Sequence, residues 1–551
     1  MKKITILTAV LLFFTYTQAQ VSWSTASYNV GGDDRALVDM NNDNLDDLVG
    51  LFVSSTQQDY IQIRYQESTG GFASGVTYPI TATYSSSWSL AVGDYNKDGY
   101  NDLVWGSTSG AHVATAGAGG NSYSVTNTSN TVFTQRTNFA DINNDGNLDI
   151  FICDDVEPNE YFMNDGSNNL TLYEGANAAG VPEGLGIYPS GGNYGSIWID
   201  VDNDRDNDLF IAKCGGNVAR RTNELHRNNG NSSFTSIAST AGLADPINTW
   251  SSAWGDYDND GDMDCFIGSS SSTEDHKLMR NEHDPNNPSI ISFTDVSVAS
   301  GVDDSSAKYY ENVFIDFDND GWQDLYVNGD ILYNNGDGTF TVTDPGISNF
   351  GGAFGDANND GFIDLFRNGT VYLNQGNSNN WIKINTKGTD SNANGIGARV
   401  ELTTTAGTQI RDVRSGEGFR YMHSLMTHFG IGSETSIQKI EIFWPSGNTD
   451  LILNPAINQV LDVVEGETLS LQDSFVNDLI LYPNPTKNVL NLNATYGFEN
   501  ALYSVFDIQG RRVLNSYFNS NQIDVSNLSA GTYLLRITQD GQSKTQKFIK
   551  Q

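Results

Sequence analysis

The strongest constraint in this sequence is a nine-residue acidic loop that occurs seven times. Its sixth copy reads DFDNDGWQD, in which Asp316, Asp318, Asp320 and Asp324 alternate so that four side-chain oxygens can turn toward one centre, while Gly321 permits the sharp reversal of the backbone between them. Places one, three, five and nine hold Asp39, Asn41, Asp43 and Asp47 in the first copy and Asp94, Asn96, Asp98 and Asp102 in the second. They hold Asp141, Asn143, Asp145 and Asp149 in the third, and Asp200, Asp202, Asp204 and Asp208 in the fourth. The fifth has Asp256, Asp258, Asp260 and Asp264, and the seventh Asp356, Asn358, Asp360 and Asp364. An all-oxygen set of this kind suits a hard cation. Ca2+ accepts six to eight oxygens in flexible geometry, whereas Mg2+ demands near-octahedral order and keeps its waters, so up to seven Ca2+ ions are expected. The carbonyl of place seven is the natural fifth ligand. Ordinary Asn-Gly or Asp-Gly turns are the alternative, but turn chemistry does not need four acidic or amide residues at fixed places in every copy.

A loop opening DxDxDG also begins an EF-hand, which would need a bidentate Glu at place twelve and helices on both sides. Place twelve holds Gly50, Trp105, Ile152, Ile211, Ile267, Val327 and Arg367, so no copy can close an EF-hand. The flanks read as strands instead: SIWID and LFIA around the fourth loop, VFID and LYVN around the sixth. Successive loops start 40 to 60 residues apart. A hairpin cue follows most of them, as in YFMNDGSNNL, LHRNNGNSSF and LYNNGDGTF. Strand, loop, strand, strand, turn, strand is one four-stranded blade, and this spacing accommodates it. The period is far too long for a nine-residue β-roll, and sustained helical periodicity is absent.

The expected fold is therefore all-β: a seven-bladed β-propeller with calcium loops over residues 20–378, a small β domain over 379–467, a linker over 468–477 and a β-sandwich over 478–551. The small domain is expected to be antiparallel, from the alternation in WIKI, ARVEL and KIEIF. The seventh repeat runs from VYLNQGN straight into the next domain and lacks its outer strand. Residues 21–30, VSWSTASYNV, are expected to pair near Tyr372 and shut the ring, removing two open edges.

Residues 1–19 read as a secretory signal, with Lys2 and Lys3, an apolar run to Phe14 and a small-residue cleavage site before Gln20. No stretch is long enough to be a transmembrane span. The formal charge of −38 opposes nucleic acid and anionic membrane as partners. Cys153, Cys214 and Cys265 fall in different repeats and read as small buried side chains, not as a disulfide framework.

The acidic loops resemble the FG-GAP and VCBS-type repeats of integrin α-chain propellers, and with the LYNNGDGTF cue they resemble the propeller of the cartilage acidic protein family. Asn44 and Arg205 depart from this pattern by standing where Gly is expected; Arg is strained in a left-handed conformation, so the loop at Asp200 is the one expected to be distorted. Further on, IGARV, RSGEGF, HFGIG and WPSG resemble, in that order, the ASPIC and UnbV domain. That family carries over an architecture and no reaction. His423 and His428 read as packed side chains before they read as metal ligands. The last segment, with YPNPTKNVLNL, YSVFDIQGRRV and IDVSNLSAGTYLLRI, resembles the C-terminal sorting domain of type IX secretion cargo. This resemblance implies export, contact with the type IX secretion machinery, and a secreted or cell-surface location.

Two functions follow as expectations. The first is a non-enzymatic, calcium-stabilised binding or adhesion module for an extracellular glycan or protein ligand. The second is an extracellular carbohydrate-active enzyme, a polysaccharide lyase or hydrolase, built on the same ring. No GxSxG or HExxH is present and the regular acids already belong to the loops, which favours the first. No catalytic residue is assigned.

Overall fold

The computed structural model describes residues 21–467 and 480–551, apart from 31–32, 55–56, 82–87, 109, 128–131, 175–184, 187–188, 231–232, 288–289, 307, 309–310, 348–350, 494–500, 508–510, 519–520 and 540–541. The signal-like segment and the linker lie outside the described residues. The chain divides into two compact units, one ending at Gly466 and one running over Glu467–Gln551.

Residues 21–375 of the first unit form seven four-stranded antiparallel sheets among the described residues. In the sixth, Asn312–Ile315, Asp324–Val327, Asp330–Asn334 and Phe340–Thr343 follow one another in chain order. The first strand of each is innermost. Asp33–Val38, Leu90–Gly93, Thr134–Ala140, Asn193–Ile199, Thr249–Gly255 and Asn312–Ile315 contact one another in that order, and Ala353–Gly355 contacts Asp33–Val38. Phe317 and Tyr326 of the sixth repeat meet Phe354 of the seventh edge to face, at 5.9 and 4.9 Å. The result is a closed, propeller-like ring. Its closure is the one expected from the sequence: Trp23–Ser27 pairs antiparallel with Thr370–Asn374 as the outer strand of the seventh sheet. The pairing joins opposite ends of the ring, so neither edge is left open.

Residues 379–466 form two further sheets. Thr408–Asp412, Arg399–Thr403, Lys439–Phe443 and Thr449–Leu453 are antiparallel, as expected. In the other sheet Asn380–Lys387 pairs antiparallel with Thr427–Gly432 but parallel with Val460–Val464, which corrects the purely antiparallel expectation. Alternation reports which face of a strand is buried and is silent about the direction of its partner. These sheets share one core with the ring, where Ile384, Ile396 and Trp444 join Val104, Phe139 and Ile150. This segment is therefore the lid of the ring and does not trail behind it.

Between Asp412 and Thr427 the lid sends a strap down the centre of the ring. Ser415 Oγ donates to Val92 O at 2.7 Å, and Asn138 donates to the carbonyls of Ser415 and Gly416 at 3.1 and 3.0 Å. Arg136 donates to the carbonyls of Phe419 and Tyr421 at 3.2 and 3.1 Å. Glu311 accepts from the backbone N–H groups of Phe419 and Arg420 at 2.9 and 3.0 Å. Met422 exchanges backbone bonds with Arg35 and Leu37 at 2.8 and 3.2 Å. A Cβ on Gly418 would lie 1.9 Å from Glu311 Oε1, and its φ is +65°, so the second glycine of RSGEGF is required here. The strap thus fills the space that the inner strands surround.

The second unit is a sandwich of two sheets. One pairs Val489–Asn493 with Ile480–Tyr482 and Gln522–Asp524; the other orders Arg512–Tyr517, Leu502–Asp507, Gly531–Gln539 and Gln542–Lys550. Leu490, Val505, Leu535 and Phe548 are fully buried between them.

Candidate metal centres on the ring

The expected ligand residues at places one, three and five stand on the turn joining the first and second strands of a sheet, and place nine is the first residue of the second strand, so all seven loops sit at the same end of the ring. Local chemistry explains the turn. The carboxylate at place one accepts the N–H of place six at 2.7–3.2 Å in all seven copies. The carboxylate at place five accepts the N–H of place seven, as in Asp320 with Trp322 at 2.9 Å and Asp98 with Tyr100 at 3.0 Å. Place four is left-handed throughout, from Asn259 at φ 55° to Asn42 at φ 61°. Arg205 at place six is also left-handed, with φ 76°. Its N–H to Asp200 is the longest of the set at 3.2 Å. Its guanidinium meets Glu401 at 2.9 Å, lies over the Phe443 ring at 3.9 Å and stays 4.0 Å from Asp200 Oδ2. The lid thus compensates for a backbone conformation that arginine disfavours.

The loops fall into two groups. Where place three is Asn, its amide donates to the carboxylate of place five: Asn41 to Asp43 at 3.0 Å, Asn96 to Asp98 at 3.3 Å, Asn143 to Asp145 at 3.0 Å and Asn358 to Asp360 at 2.8 Å. Where place three is Asp, carboxylates converge without such a donor. Asp256, Asp258 and Asp260 bring three oxygens within 4.8 Å of one another, as do Asp316, Asp318 and Asp320. At the distorted loop the converging set is Asp200, Asp202 and Asp208, so Asp204 is replaced by place nine. Oxygens at place three are enclosed and unpartnered in Asn41, Asp202 and Asp258. Burial, reinforced by neighbouring carboxylates, pushes Asp202, Asp256 and Asp318 up to about 7 and Asp200 and Asp258 up to about 6. Arg399 and Arg205 pull Asp200 back down, and Arg411 does the same for Asp256. A divalent cation would satisfy the orphan oxygens and offset the repulsion, so these donor sets fit calcium.

Place nine has a second task. The buried carboxylates of Asp47, Asp102, Asp149, Asp208, Asp264, Asp324 and Asp364 accept the N–H of place two at 2.9–3.2 Å. With the other oxygen they accept an N–H at 2.7–2.9 Å from the third strand or, for Asp47, from Gln66 just past it. They clamp three strands of one sheet together.

Sequence reasoning missed two sets of asparagines. Asn164, Asn281, Asn334 and Asn374 each donate to the place-two carbonyl of the preceding loop, on Tyr95, Val201, Tyr257 and Phe317, at 2.7–3.2 Å. Asn203, Asn259 and Asn319 at place four each donate to the place-six carbonyl of the next loop at 3.0 Å. The signal was visible as the Asn that opens the N-x-G cues at Asn164, Asn334 and Asn374, though not at Asn281, and as the Asn that recurs between places three and five. Both tie one repeat to its neighbour. Asn281→Ala is expected to cost about 1–3 kcal/mol, because it orphans buried carbonyls on Val201 and Met263. Urea denaturation measures it, and a cost within error of zero would show that the tie is dispensable.

The lid covers this end of the ring. Lys383 Nζ lies 2.7 Å from Asp356 Oδ2, both buried. Arg399 binds Asp412 and lies 3.7 Å from Asp200 Oδ2. Asn394 accepts from Asp94 N at 2.7 Å, and Asn44 donates to Asp462 at 3.1 Å. His428 is hydrogen-bonded to Gly361 O at 3.0 Å and His423 accepts from Phe354 N at 3.1 Å, so both serve packing. Burial lowers them to about 4 and about 3. The three cysteines are free; Cys153 and Cys265 are buried and Cys214 partly so. At the far end of the ring the strap tip, Phe419, packs among half-buried Trp88, Tyr194 and Trp250 at 6.4, 6.2 and 5.4 Å, stacked on Tyr194 and tilted to the two tryptophans.

A ring of acidic-loop repeats, a lid and a separate sandwich tail match known families in that order. Residues 39–105 and 200–267 match the FG-GAP-like repeat, and 86–125 the FG-GAP repeat. Residues 388–470 match ASPIC and UnbV, and 480–551 match the secretion system C-terminal sorting domain. The chain carries all three modules, and its tail marks it for type IX secretion to the outer surface. Cartilage acidic protein 1 of Xenopus tropicalis is 25% identical over 324 residues, 57% of this chain and 42% of that protein. The Mus musculus protein of the same name is 26% identical over 326 residues, 57% and 43%. The chain therefore spans less than half the length of the curated relatives it matches. A lectin of Agrocybe aegerita that recognises non-reducing terminal N-acetylglucosamine aligns at 16% identity, over 59% of this chain and 81% of its own, with a TM-score of 0.37. PorZ, a surface component of the type IX secretion system of Porphyromonas gingivalis, aligns at 12% identity over 96% and 82%, with a TM-score of 0.20. No helix among the described residues is long and apolar enough to cross a membrane.

Proposed function

We propose that this chain is a secreted, seven-bladed calcium-binding propeller that acts as a non-enzymatic binding or adhesion module for an extracellular glycan or protein. The observation that carries the calcium reading is the convergence of three carboxylate oxygens within 4.8 Å in each all-aspartate loop, with enclosed oxygens left unpartnered in two of them. The lid occupies the loop end, so a ligand is received at the opposite end or on the rim. The half-buried aromatic cluster of Trp88, Tyr194 and Trp250 supports the opposite end, since such rings bind sugars and protein side chains alike. Glu311 at the ring centre is pushed up to about 7 by burial, yet both its oxygens are taken by the strap, which leaves no free acid there for glycoside chemistry. Isothermal titration of EGTA-treated, desalted protein is expected to show at least three calcium sites. The triple variant Asp316→Asn, Asp318→Asn, Asp320→Asn is expected to lose one of them. A glycan array read with and without Ca2+, with product release monitored, tests binding against turnover. No calcium uptake would overturn the metal reading, and product release would overturn the non-enzymatic one.

A further inference from the structure

Residues 480–551 differ from the rest of the chain in charge. They hold seven Lys and Arg against four Asp and Glu, a net +3 in a chain of −38. They differ in surface as well. Six of the twelve well-exposed large apolar side chains among the described residues lie within these 72 residues of 551.

The four-stranded sheet of the sandwich gathers both properties on one face. Along Gly531–Gln539, Tyr533, Leu535 and Ile537 are buried, which turns Thr532, Leu534 and Arg536 outward. Register extends that face across the sheet. Leu534 stands opposite Phe506 on one side and Lys547 on the other, Thr532 stands opposite Ile549, and Leu502 stands opposite Tyr517. Arg512 pairs with Phe506 past a bulge, and Arg536 Cζ lies 5.7 Å from the Phe506 ring. Leu534 and Ile549 are each 41% exposed and Tyr517 67%. Acids are kept off these strands: none of residues 502–506, 512–517, 532–537 and 546–550 is Asp or Glu. Asp507, last in its strand, is in register with buried Tyr533, and Asp524 belongs to the other sheet. Glu499 and Asp540 lie outside the described residues.

Apolar side chains interleaved with cations on a flat sheet face suit a partner that offers apolar contact and carboxylates together. A second copy of the chain does not fit, because a two-fold contact through this face would set cations against cations. An anionic bilayer is opposed by the charge of −38. The match of these residues to the secretion system C-terminal sorting domain supplies the remaining occupant. We propose that the outward face of this sheet, centred on Leu534 and Lys547, is the surface by which the type IX secretion machinery recognises the chain, and that the recognising component presents an apolar patch bordered by carboxylates.

The test follows the full chain in a cell with type IX secretion. Leu534→Glu with Lys547→Gln is expected to lower the amount found outside the cell about tenfold or more, with the chain retained in the periplasm. The purified variant should keep the thermal midpoint and protease resistance of the unaltered protein. Lys487→Gln with Val489→Glu, a matched exposed pair on the strand and turn of the other sheet, should be exported normally. Should the first variant fail to fold, Arg512→Gln with Lys547→Gln, which keeps every apolar side chain, decides by the same readout. Normal export of a folded face variant, or an equal loss from the matched pair, overturns the assignment. So would binding of the unaltered chain to phosphatidylglycerol vesicles, or its dimerisation in sedimentation, if the Leu534→Glu variant abolished either.

Discussion

Removing calcium is expected to lower the melting temperature of the ring by about 4–8 °C at pH 8 and by much less at pH 5. A site held at ten to a hundred times its dissociation constant stabilises the folded state by about 1.4–2.7 kcal/mol, so the three all-aspartate loops alone supply about 4–8 kcal/mol. In a unit of this size 1 kcal/mol moves the midpoint by about 1 °C. The pH dependence has an unusual sign. Burial raises Asp202, Asp256 and Asp318 to about 7 in the folded, metal-free ring. In the unfolded chain an aspartate titrates near 3.9. The stability each contributes by holding a proton is therefore fully present below about pH 4 and is lost as pH rises through about 7. Metal-free protein should grow more stable on mild acidification, whereas calcium-loaded protein should lose its advantage, because protons compete for the same oxygens. Thermal melts of desalted, EGTA-treated protein at both pH values, with and without added Ca2+, measure this. Identical midpoints at pH 8 would reduce the seven loops to ordinary turns.

Arg136→Ala is expected to be the most damaging single substitution at the ring centre, at about 3–5 kcal/mol. Arg136 is fully buried, donates to two strap carbonyls and faces the buried carboxylate of Glu311. Truncation leaves those carbonyls orphaned and Glu311 an uncompensated buried acid, in addition to a cavity. Urea denaturation should show the loss in the first unit, and limited proteolysis should find new cleavage within residues 413–426. A cost below about 1 kcal/mol, with the strap still protected, would show that the apolar contacts of Phe419 and Met422 hold it without the arginine.

Much of this architecture was legible because its cause is local. The loop DFDNDGWQD dictates its own turn: Asp316 captures Gly321 N–H, Asp320 captures Trp322 N–H, and the left-handed positions fall on Asn319 and Gly321. Seven such loops between strand-like flanks already implied seven hairpin pairs. The missing outer strand of the last repeat pointed to Trp23–Ser27, because an unpaired edge is costly wherever it lies in the chain. Arg205 was recognisable as out of place because the demand for a left-handed residue is set by backbone sterics, whatever surrounds it.

The rest was decided by contacts between residues far apart in sequence. RSGEGF read as a Gly-rich middle of a small domain; only the folded ring shows that its glycines let the strap pass Arg136 and Glu311. WIKI showed that Ile382 and Ile384 face a core, but its parallel pairing with Val460–Val464 depends on a partner more than seventy residues away. Asn334 was legible as a turn residue in LYNNGDGTF, whereas its grip on Tyr257 needs the neighbouring repeat in place. Lys383, Arg399 and Asn394 of the lid close over the loops. Composition and period thus determine which segments become strands and where carboxylates gather. Which surface stays open is settled by long-range burial, since the acids of the loops and the cations of the lid meet only after both have folded.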